Sequence, residues 1–158
     1  MLSSQQQIIS FVKDSLHREK SVWLCTILKT WGSSPRPIGA MMACTFDGEL
    51  VGSISGGCVE EDFLEELREG KLKDLYQSQA KPVTVVYGET EAEQARLKLP
   101  CGGQLHVLLE LLEPSVENKA VFENIHSALE RHLTTSRIVN MSNGKITVGD
   151  HARKEALV

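Results

Sequence analysis

Aromatic side chains make up only 5% of this 158-residue chain, so its interior has to be built from Ile, Leu, Val and Met. Positive charge is not in excess either. Lys and Arg number 17 against 21 Asp and Glu, a formal net charge of -4, which argues against general attachment to a nucleic-acid backbone. One local basic pocket stays compatible with that balance. No run approaches the roughly 20 apolar residues that a membrane-crossing helix needs. The opening Met1-Leu2-Ser3-Ser4-Gln5 has neither the basic start nor the apolar stretch of a secretory signal, so the expected location is cytoplasmic, without membrane or nucleic-acid partners. The cysteines at 25, 44, 58 and 101 form no Cys-x-x-Cys pair, which disfavours a structural zinc site. A reducing cytosol disfavours disulfides as well. Gly-x-Gly-x-x-Gly and Walker loops are missing. Gly52-Ser53-Ile54-Ser55-Gly56 has Ile at its centre, so it is not the nucleophile elbow of a hydrolase.

What is there suits an ordinary globular domain, with 41% hydrophobic and 24% charged residues and enough length to bury a core. Ile8, Val12 and Leu16 recur at helical spacing behind a Ser3 or Ser4 cap. Residues 22–30 read as a strand that ends in the Gly- and Pro-rich 31–37. Residues 41–46 and 49–54 flank Asp47-Gly48, which suggests a type I′ hairpin with Cys44 opposite Val51. Both strands are largely apolar, so a covered sheet is expected. After Ser55-Gly56-Gly57-Cys58 a helix begins, with acids at 60–62, a Val59, Phe63, Leu67 stripe, Arg68 near its end and Gly70 past it. Strands are expected at 82–87 and 104–112, and a Ser115-capped helix carries Val121, Ile125, Ala128 and Leu129. A second hairpin turns at Asn143-Gly144. The charged segment 89–99 fits a short helix or a loop equally. The expected fold is α/β in the α+β sense: a mixed β-sheet with two β-hairpins, flanked by about three helices. One domain is expected over 1–150, with a tail at 151–158.

Two loops stand out for chemistry, Ser55-Gly56-Gly57-Cys58 and Pro100-Cys101-Gly102-Gly103. Paired glycines permit positive φ and let a ligand approach the backbone. At the first loop the N–H groups of the following helix could hold an anion, and Cys58 would stand beside them. The alternative is a tight turn with an inert buried thiol. Cys101 poses the same choice, without an obvious helix start beside it. Arg36, held between two prolines, suits an oxyanion or an ordinary surface ion pair. Glu60 is either a site carboxylate or a common helix-start acid. Cys25 and Cys44 read as buried filler, and the five His form no metal-binding spacing. Met41, Met42 and Trp31 fit a core better than a partner surface.

Three segments together carry a resemblance. Residues 30–42, Thr-Trp-Gly-Ser-Ser-Pro-Arg-Pro-Ile-Gly-Ala-Met-Met, are followed by 52–60, Gly-Ser-Ile-Ser-Gly-Gly-Cys-Val-Glu, and by 99–103, Leu-Pro-Cys-Gly-Gly. In order and spacing this is similar to the XdhC/CoxI family, accessory and maturation factors of xanthine dehydrogenase and carbon monoxide dehydrogenase, and to their N-terminal domain. The resemblance implies a chaperone rather than an enzyme. It would bind the molybdenum cofactor (molybdopterin), protect it while its sulfido ligand is installed, and deliver it to an apo-molybdoenzyme of the xanthine dehydrogenase type. It implies cofactor contacts at Ser34, Arg36, Ser55, Gly56, Gly57, Cys58, Glu60, Cys101, Gly102 and Gly103, with Cys58 or Cys101 as the thiol that acts or meets molybdenum. The alternatives are a sulfur-transfer protein carrying persulfide on a loop cysteine supplied by a cysteine desulfurase, or a docking module without cofactor. A homodimer would help to shield the cargo. Many members continue into a second, dinucleotide-binding-like domain, which is not expected within these 158 residues, and Lys98 stands where the family usually has glycine.

Overall fold

The computed structural model describes residues 3–32, 36–79, 81–99 and 103–149. The tail at 151–158 lies outside them. In chain order the elements are α1 (Ser4–His17), β1 (Val22–Trp31), β2 (Met41–Thr45), β3 (Leu50–Gly52), α2 (Cys58–Arg68), α3 (Lys71–Gln79), β4 (Val83–Tyr87), α4 (Glu91–Arg96), β5 (Gln104–Leu112), α5 (Val116–Glu130), β6 (Ser136–Val139) and β7 (Ile146–Gly149). Five strands form one sheet in the order β3-β2-β1-β5-β4, and β6 with β7 forms a separate two-stranded sheet. The α+β class and both hairpins are as expected. The pairings are antiparallel throughout rather than mixed, and five helices occur among the described residues.

Alternation along the central strands builds two cores. Trp23, Cys25 and Ile27 of β1 and Leu105, Val107 and Leu109 of β5 point to one face, where Val59 and Phe63 of α2 and Leu72 of α3 cover them. Val22 and Leu24 of β1 with Leu112 of β5 point to the other, beneath Ile8, Val12 and Leu16 of α1 and Phe122 and Ile125 of α5. The sheet is therefore sandwiched, as its two apolar faces require. Each fully buried large side chain contributes about 1.5–3 kcal/mol. Glu110 shares the second face and is only 2% exposed. Arg137 of β6 donates to both of its carboxylate oxygens at 2.7 and 2.8 Å, which ties the small hairpin to the main sheet.

Helix ends follow their local chemistry. Ser3 caps α1 in a capping box with Gln6. The undecided segment 89–99 contains α4, whose Thr90 hydroxyl accepts from the Glu93 N–H at 3.1 Å. That helix closes with Lys98 N–H on the Ala95 carbonyl at 3.2 Å and Leu99 N–H on the Gln94 carbonyl at 2.9 Å. This is a Schellman closure, and Lys98 supplies its left-handed residue with φ +55. Glycine would adopt that φ without strain.

The first hairpin differs by one residue from its expected register. Cys44 lies opposite Leu50, and Ala43 faces Val51. The loop has three residues, because Thr45 N–H bonds the Glu49 carbonyl at 2.9 Å and Gly48 N–H bonds the Thr45 carbonyl at 3.0 Å. Gly48 has φ +91, whereas Asp47 does not have positive φ, so the two-residue type I′ turn does not form. The Thr45 hydroxyl donates to Asp47 and accepts from Glu49 N–H, a local bond that favours the longer loop.

Candidate functional site

The sheet registers bring the described parts of the three signature segments to one end. Trp31, the last residue of β1, pairs with Gln104, the first of β5. Met42 at the start of β2 pairs with Gly52 at the end of β3, and Tyr87 at the end of β4 pairs with Leu105. Gly32, the 36–40 segment, the 53–57 loop and Gly103 therefore lie at the same end of the sheet. Two contacts fasten them. Arg36 Nε donates to the Ser53 carbonyl at 3.3 Å, linking the first segment to the second. Gly88 stands so close to Gly103 that a Cβ built on it would lie 2.4 Å from the Gly103 carbonyl oxygen.

The Ser-Gly-Gly-Cys loop has an internal design that the sequence did not disclose. Gly56 and Gly57 take φ +104 and +145, a path open to glycine alone, and Gly57 is the N-cap of α2 without a side chain to offer. Its neighbours replace the missing cap. The Ser55 hydroxyl accepts from Val59 N–H at 3.2 Å and donates to the Glu60 carboxylate. The other Glu60 oxygen accepts from the Ser53 hydroxyl at 3.1 Å and from Gly56 N–H at 3.2 Å. Glu60 is buried, with 7% of its surface exposed, and three groups of one short loop donate to it. Cys58 opens the helix with its thiol partly exposed.

The other expected residues divide clearly. Arg36, Ser55, Gly56, Gly57, Cys58 and Glu60 are brought together, and Gly103 is buried at the same sheet end. Ser34, Cys101 and Gly102 lie outside the described residues. Cys25 and Cys44 are fully buried in strands. Burial pushes the Cys25 thiol well above its ordinary range and the Cys44 thiol up to about 11, so both remain protonated filler. Met42 is core, but Trp31 is half exposed and carries Lys29 Nζ 4.3 Å above its ring. Leu28 and Ile38 are exposed nearby in sequence. Among the described residues, no cluster of His, Cys, Asp or Glu could hold a metal ion, and no helix is long and apolar enough to cross a membrane.

Behind the loop, α2 is tied to α4. Asp62 and Arg96 form an ion pair at 2.5 Å, and Glu66 sits one turn on from Asp62. Burial, reinforced by the hydrogen bond and charge of Asp62, raises the Glu66 carboxyl to about 7. Elsewhere, a cleft of about 480 Å³ includes Lys81, Glu113, Ser115, Asn118 and Lys145 in its lining. It lies at the opposite end of the sheet from the signature loops. Glu60's part as the loop's hub escaped sequence reasoning because an acid in a first helical turn is commonplace. The available signal was its spacing, five residues from Ser55 and seven from Ser53.

Among protein families, residues 15–80 match the XdhC and CoxI family. Among curated proteins, the chain is similar to the molybdenum cofactor insertion chaperone PaoD of Escherichia coli (strain K12). Identity is 26% over 129 residues, covering 79% of this chain and 37% of that protein. Among solved structures, it is similar to a xanthine dehydrogenase from Bacillus halodurans, with 27% identity and a TM-score of 0.61 over 92% of this chain and 40% of that one. The chain thus spans well under half the length of these relatives.

Proposed function

We propose that the chain, whose residues 15–80 match the XdhC and CoxI family, binds the molybdenum cofactor, shelters it, and hands it to a molybdenum hydroxylase of the xanthine dehydrogenase type. The observation that carries this reading is the convergence of the signature segments at one sheet end, with Arg36 fastened to the cysteine loop at 3.3 Å. The cargo asks for two unlike contacts. Its phosphate suits a guanidinium such as Arg36, and its dithiolene-bound metal suits a sulfur ligand. Cys58 is half-buried at that end, beside a backbone where a Cβ on Gly56 or Gly57 would meet nothing within 4 Å. A flat ring system can therefore lie against the glycines. Ser34, Cys101, Gly102 and Gly103 complete the proposed contacts from the first and third segments.

The test is retention. Purified protein incubated with molybdenum cofactor is expected to carry pterin fluorescence through gel filtration, and Cys58→Ala is expected to carry less. Elution of all pterin in the small-molecule fraction would reject the proposal. A second reading, persulfide transfer, draws support from Cys58 being partly exposed while Cys25 and Cys44 are buried. Under it, a cysteine desulfurase and free cysteine add one sulfur atom to Cys58, visible as a mass increase of that peptide. An unchanged peptide mass removes this second reading.

A further inference from the structure

Glu60, the third residue of α2, turns its carboxylate back onto the loop that leads into the helix, next to the end that would ordinarily attract an anion. Its carboxylate accepts from the hydroxyls of Ser53 and Ser55 and from the backbone N–H of Gly56. It is almost completely buried. The start of α2 thus already holds a negative charge of its own, supplied from three residues inside the helix.

The approach to this loop is nevertheless open. Positions where a Cβ would stand on Gly56 and Gly57 have no neighbour within 4 Å, and the Cys58 side chain is partly exposed. A ligand can reach the backbone and the thiol, but an arriving phosphate would compete with Glu60 for the same N–H and meet a like charge. We infer that Glu60 is a specificity-determining residue, a built-in anion that turns phosphates away from the 53–58 loop and leaves it to a neutral or soft, sulfur-seeking group beside Cys58. Applied to the cargo, this rests on the proposed function and gives it a direction. The metal end faces Cys58, and the phosphate end is left to Arg36.

Titration of the isotope-labelled protein with inorganic phosphate, followed at each backbone amide by NMR, tests the assignment. The wild-type protein is expected to give no saturable shift at Gly56, Gly57, Cys58 or Val59. Glu60→Ala is expected to bind phosphate there at least about tenfold more tightly. Glu60→Gln keeps the side-chain shape and removes the charge, so it is expected to change in the same direction. A purely structural role would leave Gln like the wild type. A saturable shift at those amides in the wild type overturns the inference, as does a folded Gln or Ala variant that gains no binding. Should both variants unfold, the wild-type titration decides. Pterin retention, measured separately, keeps the two ideas apart. Lost retention with the expected phosphate pattern rejects the cargo and not the role of Glu60. Retention with a phosphate response at the wild-type loop rejects the role of Glu60 alone.

Discussion

Removing one hydroxyl, in Ser55→Ala, is the most informative perturbation of the cysteine loop. The Ser55 oxygen accepts from Val59 N–H at 3.2 Å, lies 3.4 Å from Gly57 N–H, and donates to Glu60. The first of these contacts does the work of a helix cap, worth about 1 kcal/mol. The last is a hydrogen bond to a buried carboxylate, worth about 1.5–3 kcal/mol. Glu60 keeps Ser53 and Gly56 as donors after the substitution, so part of its solvation survives and the net cost is expected near 2 kcal/mol. With a urea slope of about 1–3 kcal/mol/M for a small domain, the unfolding midpoint falls by about 1 M at unchanged slope. Ser53→Ala removes a more redundant donor and is expected to cost about 1 kcal/mol. The assay is equilibrium urea unfolding followed by circular dichroism. A Ser55→Ala midpoint indistinguishable from wild type would refute the view that this hydroxyl and Glu60 hold the loop's shape.

Three further outcomes are expected. Arg137→Met leaves the buried Glu110 carboxylate unpaired and should cost about 3–5 kcal/mol, whereas Glu110→Leu combined with Arg137→Met should recover most of that loss. Equal instability of the single and double variants in urea would contradict this. Lys98→Gly relieves the left-handed strain at φ +55 and should stabilise by about 0.5–1 kcal/mol, read as a higher Tm; a lower Tm would contradict it. Glu66 is held up at about 7 against an ordinary 4.5, so the native state binds the extra proton between those values and stability falls as pH rises from 4.5 to 7. Glu66→Gln should flatten that slope and raise Tm at pH 8, and an unaltered slope would exclude Glu66 as its source.

Much of this fold was legible because its signals are local. The Ile8, Val12, Leu16 repeat and the apolar alternation of β1 and β5 marked their elements directly, since burial enforces period on a strand or helix. Glycine and cysteine marked the 55–58 loop that stands at the sheet end. What stayed hidden depended on contacts that composition does not encode. Asp47-Gly48 looks like a two-residue turn, yet the Thr45 hydroxyl closes a three-residue one. α3 begins directly after Gly70, and its Leu72 and Leu75 are too few to announce a helix. The tie between Arg36 and Ser53 spans 17 positions, and the closure of Glu60 onto Ser53 and Ser55 exists only once Gly56 and Gly57 adopt positive φ.

The central claim, that cargo lies against the cysteine loop, is tested most directly by cofactor-dependent protection of individual thiols. Protein with and without molybdenum cofactor is treated briefly with iodoacetamide, and each cysteine peptide is quantified by mass spectrometry. Alkylation of Cys58 is expected to slow by at least about tenfold when cofactor is bound, while Cys25 and Cys44, already buried, stay unmodified in both samples. Cofactor that is retained by the protein yet leaves the Cys58 alkylation rate unchanged would contradict the account.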